Sequence, residues 1–152
     1  MAYSGRVVGS RSPVGLGDVH AAAGRLAAVL PRTPLIHSGR WGAWLKLESL
    51  QLTGAYKVRG ALNAVLCALQ RGDRRPVVAA SAGNHGAGVA WAARHAGIQA
   101  VISVPMHAPQ VKTARIESLG AKVVRVGRSF EESLSWAQQT AAESGARLIH
   151  AF

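Results

Sequence analysis

The segment Leu52-Thr53-Gly54-Ala55-Tyr56-Lys57-Val58-Arg59-Gly60 sets a lysine at the opening of a helical pattern. The positive end of a helix dipole disfavours an ammonium ion and suits the neutral amine that a carbonyl-binding lysine needs. From position alone, a solvated surface lysine is the simpler reading. A second segment, Ser81-Ala82-Gly83-Asn84-His85-Gly86-Ala87-Gly88, leads from a strand pattern into a helix. Its three glycines allow backbone to approach a ligand, and a helix start favours an anion such as a carboxylate or phosphate. Such a turn also serves plain close packing, and His85 within it fits a capping or packing role as well as a ligand-binding one. The order of residues lacks both GxGxxG and a GKS/T ending, which argues against a dinucleotide site and a P-loop. The lone Cys67 has no sequence neighbour that would activate its thiol, so it reads as a packing residue.

These residues need elements to hold them. Val77–Ala80, Ala100–Val104, Val123–Val126 and Leu148–Ala151 are β-branched or small apolar runs that start about every 23 to 25 residues, with helical patterns between them. Their apolar character on both faces predicts an open, mostly parallel sheet covered by helices on both sides, a three-layer α/β/α arrangement. In such sheets ligands bind beyond the carboxyl ends of the strands, which is where the Ser81–Gly88 turn falls. Val58, Ala61, Leu62, Val65, Leu66 and Leu69 form one stripe of a helix that ends at Arg71-Gly72. Ser129 and Glu132 have capping-box spacing before a helix closed by Gly145, with Phe130, Leu134, Ala137 and Ala141 on its inner face. Asp18 is expected to cap a first helix carrying Val19, Ala22, Ala23, Leu26 and Leu30, ended by Pro31. Ala43–Leu47 reads as a short strand.

The chain has 152 residues, 49% hydrophobic and 16% charged, which is neither a disordered nor a membrane-spanning composition. No apolar run reaches the roughly 18 residues needed to cross a bilayer. The first seventeen residues lack the apolar stretch of about 7 to 15 residues found in a secretory signal. With a single cysteine, a reducing cytoplasm is the expected location. The formal net charge of +11 raises nucleic acid as a partner. The arginines are scattered, however, with no zinc-finger spacing and no aromatic-interleaved basic stripe, so a nucleic-acid role is disfavoured.

Taken together, "KLESLQLTGAYKVRGALNAV" and "AASAGNHGAGVAWAA" closely resemble the serine/threonine dehydratases, pyridoxal-phosphate enzymes of the fold-type II, tryptophan synthase β-like superfamily. The resemblance runs from about Thr33-Pro34-Leu35 to the end and includes "VPMHAPQVKTARIESLGAKVVRVG". It implies that Lys57 is the lysine that carries pyridoxal phosphate and then removes the substrate α-proton. Asn84 matches the asparagine that hydrogen-bonds the cofactor's phenolic oxygen. Ser81, Gly83 and His85 belong to the loop that resembles the cradle for the substrate carboxylate. The implied reaction is α,β-elimination from L-threonine or L-serine, giving a 2-oxo acid and ammonia with no catalytic metal.

Three departures bear on this expectation. Family members usually carry Ser-Phe before the lysine, where this chain has Ala55-Tyr56. Serine racemases carry a serine at the position of Ala82, so Ala82 favours dehydration over racemisation. Family members also continue past Phe152 into a glycine-rich phosphate loop, and no four-glycine run occurs here. The expected organisation is therefore an irregular arm over 1–17, an N-terminal piece of the large domain over 18–53, and a small α/β domain over 54–152. The expected partners are a small amino-acid substrate and either a homo-oligomer or a complementary C-terminal chain. Two other readings remain: an inert fragment or half-enzyme, and a small basic α/β protein that binds anions or nucleic acid.

Overall fold

The computed structural model describes residues 14–151. In chain order its elements are α1 (Leu16–Ala27), β1 (Leu35–Ser38), β2 (Ala43–Lys46), a 3-10 turn (Glu48–Leu50), α2 (Lys57–Gln70), β3 (Val77–Ala80), α3 (Asn84–Ala96), β4 (Ala100–Val104), α4 (Gln110–Ser118), β5 (Lys122–Arg125), α5 (Phe130–Ser144) and β6 (Arg147–Leu148). Four strands form one wholly parallel sheet in the order β5-β4-β3-β6. The central strands β3 and β4 are the most buried, as their runs, apolar except for Ser103, require. Val77 and Ala79 face a core shared with Val58, Leu62 and Val65 of α2, Val89 and Ala93 of α3, and Ile116 of α4. Val78 and Ala80 face the other way, onto Leu134, Ala137 and Ala141 of α5. Helices thus cover both faces, with α5 alone on the second.

Two buried hydroxyls fasten α5 to the sheet without leaving polar atoms orphaned. Ser103 Oγ donates to the Ser133 carbonyl at 2.8 Å, and Ser133 Oγ donates to the Val126 carbonyl at 2.8 Å. Ser129 caps α5, its Oγ accepting the Glu132 N–H at 3.2 Å, and Gly145 closes the helix with φ +71°. The Glu132 carboxylate turns back one residue further than the capping box predicts, accepting from the Arg128 N–H at 2.7 Å. Phe130 stays exposed and is not part of the buried face of α5.

Other boundaries also differ from expectation. The arm expected over residues 1–17 lies outside the described residues up to residue 13, and α1 already begins at Leu16. Asp18 is not the cap; it occupies the third helical position and its Oδ2 accepts the Gly15 N–H at 2.9 Å. Only Leu26 of α1 is fully buried, because just one edge of that helix meets α2, and Val19 faces solvent. Leu30 is buried beyond the helix end. The strand read at Ala43–Leu47 pairs in antiparallel fashion with Leu35–Ser38, a strand that the sequence pattern did not separate from its flanks. This hairpin forms its own two-stranded sheet, with Leu35, Ile36, Trp41 and Trp44 exposed. The strand expected at Leu148–Ala151 is only Arg147–Leu148, in register with Val77 and Val78; the Ile149 N–H makes the last bond to β3, donating to the Val78 carbonyl at 2.9 Å. The strand expected at Val123–Val126 is shifted one residue toward the N-terminus.

Candidate active site

Lys57 is the first residue of α2, and the helix start is fixed from two sides. From one side, Arg59 Nε and Nη2 form a bidentate pair with Glu48 at 2.7 and 2.8 Å. The Glu48 carboxylate also accepts from Thr33 Oγ1 at 2.6 Å, and Lys46 Nζ donates to the Thr33 carbonyl at 2.6 Å. Arg59 holds the Glu48 carboxyl down at about 2, with Thr33 contributing and burial opposing. From the other side, Gly88 of α3 lies against the backbone of Lys57. A Cβ at Gly88 would stand 3.2 Å from the Lys57 carbonyl carbon and oxygen and from the Val58 nitrogen. Glycine at 88 is what lets α2 and α3 approach so closely that both helix starts lie at the carboxyl end of the sheet.

Gly86 does a similar job against the sheet. A Cβ there would fall 2.4 Å from the Ser81 carbonyl oxygen, 3.0 Å from Ile116 Cδ1 and 3.2 Å from Ile102 Cγ2. Gly86 and Gly88 are therefore packing glycines, and the expectation that all three glycines of the turn make room for a ligand is corrected. Gly83 alone is exposed; its N–H donates to Ser81 Oγ at 3.1 Å, and a Cβ on it would make only ordinary contact. Asn84, exposed at the first position of α3, follows directly.

Two cavities flank the start of α3. The first, about 300 Å³, lies between α2, α3 and the end of β6, and is lined by Tyr56, Lys57, Gly60, His85, Ile149 and Ala151 among others. Lys57 Nζ donates to the Ala151 carbonyl at 2.9 Å and stands 5.6 Å from the centre of the Tyr56 ring. His85 is buried, with Nε2 at 3.0 Å from the Ile149 carbonyl, so Nε2 carries the proton and donates it. Burial pushes the imidazole below its ordinary value, the Ile149 carbonyl opposes this, and the Lys57 and His150 charges add to it. The second cavity, about 220 Å³, lies between α3 and α4 and is lined by Ala82, Gly83, Asn84, Ala87, Lys112, Arg115 and Ile116. Lys57 and His85 thus share one cavity while Gly83 and Asn84 share the next, with the Ser81 turn where β3 passes into α3. Lys112 and Arg115 were not distinguished in the sequence from the other scattered cations; only the packing of α4 against α3 brings them here. Cys67 sits half-buried on α2, with Sγ 3.8 Å from Asn63 Oδ1. Among the described residues no cluster of His, Cys, Asp and Glu could hold a metal ion.

An amine at one helix start, an exposed neutral amide at the next and a glycine turn at the end of a parallel strand lie together at the edge where open α/β sheets bind their ligands. The family described as "Pyridoxal-phosphate dependent enzyme" matches residues 27–152, and the chain belongs to that family. Among curated proteins it is 37% identical to the catabolic L-threonine dehydratase of Staphylococcus aureus (strain USA300), over 91% of this chain and 42% of that enzyme. Among solved structures it is similar to a pyridoxal 5'-phosphate-dependent aspartate racemase, with a TM-score of 0.85 and 35% identity, over 93% of this chain and 46% of that one. A threonine deaminase from T.th. gives a TM-score of 0.82 at 37% identity, over 91% and 46%. Maize serine racemase gives 0.81 at 32%, over 88% and 43%. The α/β fold with its parallel sheet is the fold of these relatives, and the chain spans less than half the length of each. Among the described residues no helix is long and apolar enough to cross a membrane.

Proposed function

We propose that this chain carries the lysine-bearing part of a pyridoxal-phosphate-dependent lyase acting on a small hydroxy amino acid, L-threonine or L-serine. The observation that carries this reading is the close contact of Gly88 with the Lys57 backbone, which brings the lysine to the side of the Ser81–Asn84 turn. The donor set fits the cofactor: a primary amine for its aldehyde, and at Asn84 a neutral amide donor suited to a phenolate oxygen. When bound, the cofactor withdraws electrons from the substrate and makes its α-proton removable. Lys57 Nζ would hold the cofactor and then take up that proton. Ser81 and Gly83 would orient the substrate carboxylate at the start of α3, where helix N–H groups attract an anion. His85 is already bonded to Ile149, so it supports the wall behind Lys57 and keeps its own charge out of the cavity. In the net reaction the Cα–H and Cβ–O bonds break, water leaves, and the released enamine is hydrolysed to a 2-oxo acid and ammonia.

In this reading residues 18–53 belong to a larger domain and 54–152 to the small one, and the exposed apolar residues of the β1–β2 hairpin are surface for further polypeptide to cover. That polypeptide is a complementary C-terminal chain or another copy. The lone reduced Cys67 suits a cytoplasmic setting. The test is to add pyridoxal phosphate to the protein, alone and with a relative's C-terminal portion supplied in trans, and to follow visible absorption together with 2-oxo acid formed from threonine and serine. A visible band that is lost in Lys57→Ala is the expected result. A band equally strong in Lys57→Ala, or none under either condition, overturns the proposal.

A further inference from the structure

Two helices reach across to the short segment that follows β6. At the cavity of about 300 Å³, the Ile149 carbonyl accepts from His85 Nε2 of α3 at 3.0 Å, and the Ala151 carbonyl accepts from Lys57 Nζ of α2 at 2.9 Å. The two acceptors lie on one piece of chain, and the first governs the second. Ile149 is fixed up to its α-carbon: its N–H is bonded to the Val78 carbonyl, and its side chain is buried in the core shared with α2 and α3. Among the described residues no backbone bond to β3 follows that one. Because the peptide unit is planar, the torsion about the Ile149 Cα–C bond then decides where the following residues go. The hydrogen bond from His85 holds the Ile149 carbonyl, and with it that torsion. His85 has a rigid mounting for this task. Gly86 beside it is pressed against the Ser81 carbonyl, and Gly88 against the backbone of Lys57. Burial holds the imidazole below its ordinary value, so at neutral pH it grips a carbonyl without adding a second charge beside Lys57.

We propose that His85 is a positioning residue for Lys57: by holding the Ile149 carbonyl it fixes the Ala151 carbonyl as the resting place of the Lys57 amine. The effect passes along the backbone from Ile149 to Ala151 and needs no contact between imidazole and amine. The inference rests on the reading of Lys57 as the cofactor's anchor and says what sets its amine in place. A resting place matters because a lysine stem has many rotamers, and ordering them costs entropy. An amine held at one point presents one geometry to an incoming aldehyde, whereas an amine without its acceptor is spread over the cavity.

The test uses the full chain without cofactor. The protein is exposed to a trace of acetic anhydride, and mass spectrometry reads the acetylation of Lys57 relative to Lys46 in the wild type, His85→Leu, His85→Asn and His85→Gln. Leucine keeps the bulk and loses the donor, asparagine is too short to reach the Ile149 carbonyl, and glutamine brings an N–H close to the place of Nε2. Lys46 is the internal control, because its amine also rests on a backbone carbonyl, that of Thr33 at 2.6 Å, and a general loosening of the fold would free both lysines. The Lys57-to-Lys46 ratio should rise about fivefold in His85→Leu and His85→Asn, the population change that one net hydrogen bond is worth, and return to within about twofold of wild type in His85→Gln. An unchanged ratio in either variant without the donor, provided circular dichroism shows it folded, overturns the proposal. A rise that glutamine fails to reverse overturns it too, since the shape of the imidazole rather than its hydrogen bond would then be at work. Failure here leaves Lys57 as the anchor untouched, whereas a cofactor label on another lysine refutes that reading without moving these ratios.

Discussion

Replacing Gly86 with alanine puts one methyl group where the fold has no room for it. The added carbon would stand 2.4 Å from the Ser81 carbonyl oxygen, about 1 Å inside ordinary contact, with Ile116 Cδ1 and Ile102 Cγ2 closing the other directions at 3.0 and 3.2 Å. The two isoleucines can give by a few tenths of an ångström. A carbonyl at the end of a buried central strand cannot rotate away without breaking the turn, and Ser81 N–H already donates to the Ser103 carbonyl at 3.0 Å. Overpacking of this kind costs about 2–3 kcal/mol, which for a chain of this size lowers the melting temperature by about 4–12 °C. Thermal unfolding followed by far-ultraviolet circular dichroism measures it. Gly24→Ala is the internal control, since Gly24 lies within α1 with nothing within 4 Å of its would-be Cβ. That substitution should raise stability by about 0.5–1 kcal/mol, because alanine is the better helix former. If Gly86→Ala melts at or above the wild-type temperature, α3 does not start pressed against the strand end, and the placement of Gly83 and Asn84 falls with it.

Two further predictions concern pH and the support of Lys57. The Glu48 carboxyl is held at about 2 in the fold against an ordinary 4.5, so its contribution is present above about 4.5 and is lost as the pH falls toward 2. Glu48→Gln should cost about 1–2 kcal/mol at neutral pH, after allowance for solvent screening of a pair that is 20% and 33% exposed, and should flatten the acid limb of a stability profile; an unchanged acid limb contradicts the assignment. His85 is held below the ordinary histidine value by burial, so the unfolded chain binds the extra proton first. Stability should therefore decline as pH drops below about 6.5, and His85→Gln should remove that decline. Denaturant titrations at pH 7.5 and 5.5 check this, and a variant with the same pH slope as wild type refutes it.

The parallel sheet was legible because burial on both faces leaves a clear mark on a strand: Val77–Ala80 is apolar throughout, and Ala100–Val104 is apolar but for the buried Ser103, where a one-sided sheet would alternate with charged or polar residues. The α2 stripe and the Ser129 cap were equally direct. Lys57 and the Ser81–Gly88 turn were identifiable as segments, and the resemblance joined them. What each glycine does was not legible, since the occupant of the space beside Gly86 is a carbonyl five residues earlier and beside Gly88 a backbone on another helix. The same holds for Arg115, whose partner Thr53 lies 62 residues away. Of the β1–β2 hairpin only the second strand was read, because the exposed β1 lacks the in-out alternation on which strand reading depends.

The central claim is that Lys57, among the four lysines Lys46, Lys57, Lys112 and Lys122, is the cofactor's anchor. Its most direct test is to incubate the protein with pyridoxal phosphate, reduce with borohydride and map the modified peptide by mass spectrometry. The account predicts the label on the peptide containing Lys57, with Lys46, Lys112 and Lys122 modified no more than in the unfolded chain. Label distributed over all four lysines, or concentrated on any of the other three, would contradict it.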